Sequence, residues 1–314
     1  MAQATATGIV SSQEKTLGPI IAAAITPRRA QEHSIDLGAT LELIDFLYEG
    51  GVDGIALLGS TGEFVHFMLE DRSRMLEFAV KRSRVPVLVN VSHSMLDGAI
   101  LLAQEAADSG VAGVLIMPPY YFRYDQESVR AFLLRFAEAV SKSVPVYLYN
   151  IPCFTNEIAF ETASNLLGTG LFAGMKDSGG DWDYFEGLMK VPGRAGLKLF
   201  MGADQIYSRA RAAGSDGAVS GIACAIPELL ARMDRAIRGG ETELAARLDV
   251  RLQEYLQCIE PFPAPVGIKE SVRLRKIQTG EFSAPLSEQG ERRLAEFGSW
   301  FRNWLPAVLK ECGA

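Results

Sequence analysis

The sequence predicts an α/β fold, a (β/α)8 TIM barrel with a C-terminal helical appendage. Three observations predict it. A helical stretch that ends at glycine and leads into a short apolar run recurs four times. Eight apolar runs alternate with amphipathic stretches at even spacing. No G-x-G-x-x-G follows the first run, which argues against an open doubly wound sheet.

The recurring unit reads Gly50-Gly51-Val52-Asp53-Gly54-Ile55, then Gly110-Val111-Ala112-Gly113-Val114, then Gly170-Leu171-Phe172-Ala173-Gly174-Met175, then Gly214-Ser215-Asp216-Gly217-Ala218. Glycine closes a helix in the left-handed conformation, and a continuous apolar run is a strand buried on both faces. Repetition of that pair means βα units and a parallel sheet. The expected strands are Ile20–Ile25, Gly54–Leu58, Val87–Val91, Gly113–Ile116, Val146–Asn150, Phe172–Lys176, Lys198–Gly202 and Gly217–Ser220. Between them the clearest helical periodicities span Leu37–Tyr48, Glu70–Ser83, Leu96–Ser109, Glu127–Ala139 and Phe160–Leu167. After the eighth unit, helical patterns return over Glu241–Cys258, Val266–Gln278 and Ser287–Leu309, the last rich in aromatic residues.

A length of 314 residues suits one barrel plus an appendage. The expected division is a flexible extension over 1–17, the barrel over 18–240 and a three-helix region over 241–314 packed on it. A net charge of −7 argues against a nucleic-acid or anionic-membrane surface. No run of 18 apolar residues predicts a membrane span, and Met1–Thr16 lacks the basic start and apolar stretch of a signal peptide. Four widely spaced cysteines show no metal-ligand pattern and suit a reducing compartment, so a cytoplasmic protein is expected. The three histidines, His33, His66 and His93, share no ligand spacing, so no metal is expected.

In a barrel of this type, chemistry sits at the carboxyl ends of the strands. Strand six ends in Lys176, followed by Asp177-Ser178-Gly179-Gly180. Burial disfavours an ammonium, and a neutral lysine amine condenses with a ketone to a Schiff base. Strand two runs into Gly59-Ser60-Thr61-Gly62-Glu63, whose hydroxyls and backbone amides suit an anion or equally cap a helix. Strand five ends in Tyr149-Asn150-Ile151-Pro152, where a phenol either moves a proton or packs. Strand four leads to Pro118-Pro119-Tyr120-Tyr121, a stiff aromatic loop suited to packing, to a subunit contact or to a site. Strand seven ends at Gly202-Ala203-Asp204-Gln205, where Asp204 either accepts hydroxyls or caps the next helix.

Gly59-Ser60-Thr61-Gly62-Glu63, Pro119-Tyr120-Tyr121, Tyr149-Asn150-Ile151-Pro152 and Lys176-Asp177-Ser178, in this order and spacing, resemble the dihydrodipicolinate synthase/N-acetylneuraminate lyase family. The resemblance runs from about residue 18 to the C-terminus. It implies a homotetramer built as a dimer of dimers, and imine chemistry on pyruvate or another 2-oxo acid without a cofactor. By position it makes Lys176 the Schiff-base lysine and Tyr149 the proton donor and acceptor. Ser60 would link Tyr149 to Tyr121, which in this family reaches in from the neighbouring subunit. Thr61 and Gly62 would hold the 2-oxo acid carboxylate, and the backbone near Val219 would line the pyruvyl pocket.

Departures bear on the substrate. In the synthases an arginine two residues past the proline binds the carboxylate of aspartate semialdehyde. Here Phe154 stands in that place, and a phenyl ring pairs with no carboxylate. The segment Asn90-Val91-Ser92-His93 also differs from the expected glycine-rich end of strand three. The Gly-Ser-Thr-Gly-Glu form, the apolar Phe154 and the Gly202-x-Asp204 turn lean towards a lyase, aldolase or dehydratase, acting on a 2-oxo-3-deoxy sugar acid or related 2-oxo acid, with Asp204 accepting hydroxyls. The alternatives are the synthase itself, with Arg29 or Arg123 as replacement cation, and a non-catalytic barrel that binds a 2-oxo acid.

Overall fold

Each of the eight apolar runs forms a short strand, buried along its length except at Lys198. In the computed structural model, which describes residues 16–29 and 34–314, they are β1 (Ile20–Ala23), β2 (Gly54–Leu57), β3 (Val87–Asn90), β4 (Gly113–Ile116), β5 (Val146–Asn150), β6 (Gly174–Asp177), β7 (Lys198–Met201) and β8 (Gly217–Ser220). All pair in parallel in chain order, and β8 returns to β1, with Ile21 opposite Val219, to close the barrel. Closure leaves no sheet edge, and helices cover the outer face, so the strands read as apolar throughout. The glycines predicted to end helices adopt positive φ at Gly51, Gly110, Gly170 and Gly214.

Helices α1 (Leu37–Glu49), α2 (Leu69–Arg82), α3 (Leu96–Asp108), α4 (Gln126–Val140), α5 (Phe160–Leu167), α6 (Trp182–Leu188) and α7 (Tyr207–Ala212) connect successive strands. After β8 come the short α8 (Ile222–Ala225) and α9 (Pro227–Arg238). The sequence reading singled out none of α6 to α9, although Pro227 at the first position and Gly239 just past the end mark α9. β2, β3 and β7 each end one residue earlier than expected, and two strands shift further. β1 stops at Ala23 because the Ile25 N–H turns to Cys224 Sγ at 3.4 Å. β6 starts at Gly174 and includes Asp177, which stays in register with Asn150 on β5 and Met201 on β7.

Three further helices follow, α10 (Thr242–Ile259), α11 (Val266–Leu274) and α12 (Glu288–Cys312). α11 ends four residues earlier than predicted, since Lys276 takes a left-handed φ of 69° soon after it. α12 begins one residue later and ends three later, at the left-handed cap Gly313. Tyr255 of α10 stacks on Trp304 of α12 at 5.8 Å between centroids and donates to or accepts from Ser271 of α11 at 2.8 Å. This buried aromatic cluster ties the three helices to one another. Among the described residues no helix is long and apolar enough to cross a membrane.

One buried ion pair fastens this helical region to the barrel mouth. Lys269 of α11 is fully buried, and its Nζ lies 2.9 Å from Glu63 Oε2 and 3.1 Å from the Glu281 carbonyl. Ser283 donates to the other Glu63 oxygen, and Arg28 donates to Ser283 at 3.1 Å. Burial pulls the Lys269 ammonium towards losing its proton, and Glu63 opposes that pull. Removing one member of a buried pair strands the other charge, at a cost of about 3–5 kcal/mol. Lys269→Met should therefore lower the urea midpoint sharply, and adding Glu63→Gln should recover part of the loss. Equal midpoints for the single and double variants would show that the two side chains are not coupled.

Candidate active site

The site begins with register. Tyr149 on β5 pairs with Lys176 on β6. Side chains of residues opposite one another on adjacent strands leave the sheet on the same face. Both are buried, and Lys176 Nζ lies 4.1 Å from the centroid of the Tyr149 ring. Room for the lysine comes from the neighbouring strand: a Cβ at Gly202 would fall 2.8 Å from Lys176 Cε and 2.1 Å from Ser178 Oγ. The next residue, Asp177, locks the strand ends. Its carboxyl accepts from the Asn150 amide at 2.8 Å and from the Gly179 N–H at 3.3 Å. Burial, against the pull of these donors, pushes its pKa up to about 6.

The loop after β2 supplies the hydroxyls. Ser60 Oγ lies 3.0 Å from Tyr149 Oη, so the serine is hydrogen-bonded to the phenol. Two non-glycine residues flank this loop in the left-handed region, Leu58 at φ 57° and Glu63 at φ 53°. Such conformations cost about 1–3 kcal/mol each and persist only where the surroundings impose them. Here the Asn90 amide donates to the Leu58 carbonyl at 2.8 Å, Thr26 donates to the Gly62 carbonyl at 2.7 Å, and Lys269 holds Glu63.

Asn90 is itself fixed. The buried Arg72 guanidinium of α2 donates to the Asn90 carbonyl at 2.9 Å and the Ser92 carbonyl at 3.2 Å, and it sits over the Phe64 ring. Ser92 donates to Asn90 Oδ1 at 2.6 Å. Burial lowers the Arg72 pKa to about 10. The segment that departs from a glycine-rich pattern therefore buttresses the strand-two loop.

A cavity of about 530 Å3 opens over these groups, lined by Ser60, Thr61, Tyr149, Phe154, Lys176, Asp204 and Val219 among others. Seven of the residues nominated from sequence thus meet at one place. The other two do not line it. Gly62 lies behind the loop, buried, with its carbonyl taken by Thr26. Tyr121 is 89% exposed, at a left-handed φ of 80°, and packs edge-on against Phe122. Phe154 stands at the rim, 57% exposed.

Asp204 caps no helix. Its carboxyl lies near the Ser220 hydroxyl and the Ile222 N–H, and Oδ1 is buried with no hydrogen-bond partner among the described residues. Burial pushes its pKa up to about 6, against the Ser220 bond, the Lys176 charge and the Ile222 N–H. Neither Arg29 nor Arg123 lines the cavity; Arg123 is exposed and points Nη1 at the Thr155 carbonyl, 3.4 Å away. His66 lies 3.7 Å from Glu63, and His93 Nδ1 accepts the Met95 N–H at 3.0 Å; His33 falls outside the described residues. Sequence reasoning missed the scaffold of Asn90, Arg72 and Lys269, and the wall formed by Ile206, Leu256, Ile259 and Ile268.

The chain matches the dihydrodipicolinate synthetase family over residues 16–301. A 4-hydroxy-tetrahydrodipicolinate synthase of Oceanobacillus iheyensis is 29% identical over 285 residues, covering 90% of this chain and 95% of its own. A DapA-like lyase of Chloroflexus aurantiacus is 30% identical over 259 residues, 81% of this chain and 85% of that protein. A prophage protein of E. coli K12 from the dihydrodipicolinic acid synthase family, solved in complex with pyruvate, superposes with a TM-score of 0.84 at 26% identity, covering 91% of this chain and 98% of that one. By the family match, the relatives and the barrel itself, the chain belongs to the dihydrodipicolinate synthetase family and is a lyase.

Proposed function

We propose that Lys176 forms an imine with pyruvate or a related 2-oxo acid, and that the enzyme makes or breaks a bond at the carbon next to it. The observation that carries this reading is the triad of buried Lys176, buried Tyr149 and half-buried Ser60, with the lysine amine over the tyrosine ring and the serine on its hydroxyl. The lysine attacks C2 of the 2-oxo acid and expels its oxygen as water. The protonated imine then draws electrons from C3, so a C3 proton leaves and an enamine forms. Tyr149 carries protons to and from the reacting oxygen, and Ser60 orients its hydroxyl. Thr61 and the backbone amides of its loop hold the carboxylate, and Val219 closes the pyruvyl end. The imine is its own electron sink, so the reading calls for no cofactor.

The two rival lysines are already engaged, Lys198 with Asp216 at 3.0 Å and Lys269 with Glu63. The relatives' names favour a synthase that uses aspartate semialdehyde. Against that, Lys176 is the one cation among the described residues lining the cavity, and Phe154 stands where an arginine is expected. The second substrate on this reading carries no charge at its near end, which leaves the 2-oxo-3-deoxy acids, whose cleavage releases pyruvate. Four free cysteines, one of them exposed, suit a cytoplasmic setting.

The exposed, left-handed Tyr121 supports a homotetramer, a dimer of dimers in which the phenol completes the relay of a neighbouring subunit. A backbone conformation that costs free energy on the surface is accounted for by a contact that uses it.

Borohydride added with pyruvate should fix a three-carbon adduct on Lys176, mapped by mass spectrometry. Tyr149→Phe should keep forming the adduct while losing about 10²–10⁴-fold in turnover. An adduct on Lys198 or Lys269, or near-normal turnover in Tyr149→Phe, would overturn the assignment. Mixing inactive Lys176→Ala with inactive Tyr121→Phe should restore part of the activity, because some sites in mixed oligomers regain both groups. No recovery after verified subunit exchange would show that Tyr121 does not act across subunits.

A further inference from the structure

The cavity over Lys176 continues outward. A second cavity of about 320 Å3 lies against α10, α11 and the segment between them, and it shares Gln205, Leu256, Ile259, Ala264 and Ile268 with the first. The two adjoin along these five residues, as the inner and outer parts of one groove.

The groove changes character along its length. Near Lys176 it presents hydroxyls, from Ser60, Thr61, Tyr149 and Ser178. Farther out it presents Ile206, Leu256, Ile259 and Ile268, then Phe262, with the amides of Gln205, Gln253 and Gln257 at the outer end and Phe154 at the rim. The charged residues among the described lining are Lys176, Asp204 and Glu260. The lysine is consumed by the imine, and the two carboxyl groups repel an anionic tail. Asp204, expected to accept substrate hydroxyls, lines the inner part with its Oδ1 buried and without a hydrogen-bond partner among the described residues. The wall is also built firmly: Gln253 of α10 donates to the Gln205 carbonyl at 3.2 Å, pinning α10 across the loop after β7.

We infer that the partner of the 2-oxo acid in this groove is an aldehyde with an uncharged, apolar body. The inference rests on the imine reading of Lys176. In the condensing direction the enamine C3 attacks the aldehyde carbon, and the C3–C4 bond forms. The aldehyde oxygen takes its proton from Tyr149, and water hydrolyses the imine. The product is a 4-hydroxy-2-oxo acid with a hydrocarbon substituent on C4, and Lys176 is returned free. Cleavage runs the same steps backwards. A polyhydroxylated chain would lay hydroxyls against Ile206, Leu256, Ile259 and Ile268, which return no hydrogen bonds. An apolar chain there gains about tenfold in binding for every two or so methylenes buried.

The test uses the full-length enzyme with pyruvate and four aldehydes: hexanal, benzaldehyde, glyceraldehyde and aspartate semialdehyde. Pyruvate consumption gives kcat/KM for each. Hexanal and benzaldehyde should exceed both glyceraldehyde and aspartate semialdehyde by about tenfold or more. Leu256→Ser should narrow the ratio of hexanal to glyceraldehyde several-fold, and Ile259→Ser serves the same purpose if the first variant does not fold. Borohydride trapping on the same preparation separates the two claims. If an imine forms and glyceraldehyde or aspartate semialdehyde matches the apolar aldehydes, or no aldehyde turns over, the inference falls and the imine reading stands. If no imine forms on Lys176, both fall.

Discussion

The parallel register that sets Tyr149 against Lys176 is the constraint on which the site depends. A slip of one residue in either strand would turn one of the two side chains to the helix-facing side of the barrel. The register is enforced on both flanks. Asn150 and Asp177, the next pair along, are joined by a buried hydrogen bond of 2.8 Å, and Lys176 itself pairs with Phe200 on β7. Gly202 then leaves the lysine the space to rise towards the mouth. The chemistry asks for an amine and a phenol held in one dry place, and two neighbouring strands of a closed barrel provide it with no mobile segment between them.

The loop after β2 shows the opposite strategy. It bears the serine and threonine but sits between two left-handed residues, so its shape is imposed from outside. Asn90, Thr26 and Lys269 reach it from β3, from the loop after β1 and from α11. A buried ion pair adds little net stability over an apolar substitute, and its value here lies in fixing one conformation of a strained loop. In this account the helical region is part of the active site twice over. It anchors the Ser60–Thr61 loop through Lys269, and it forms the outer wall of the groove through Leu256, Ile259 and Ile268.

Much of the fold was legible because strands buried on both faces appear as uninterrupted apolar runs. Seven of the eight strands, all but β6, begin where the apolar run begins, and a glycine at positive φ precedes four of the eight. Lys176 and Tyr149 were visible as polar residues closing such runs, and they stood out only through the set of motifs at the other strand ends. What escaped depends on distance in sequence. Lys269 and Glu63 are 206 residues apart, and no local pattern links them. Arg72 looked like one more charged residue on an amphipathic helix, yet it is almost fully buried against the end of β3. The apolar groove wall was hidden for the same reason: its residues lie on helices whose periodicity reveals a buried face without revealing what that face is buried against. Asp204 was visible at the end of strand seven, but its burial, with Oδ1 left without a hydrogen-bond partner among the described residues, was not legible there.

The most direct test of the account is a crystal structure of the enzyme soaked in pyruvate. Continuous electron density is expected from Lys176 Nζ to C2 of the ligand, with the carboxylate against Thr61 and its loop and Tyr149 Oη still hydrogen-bonded to Ser60. Pyruvate bound without a bond to Lys176, or joined to any other lysine, would contradict it.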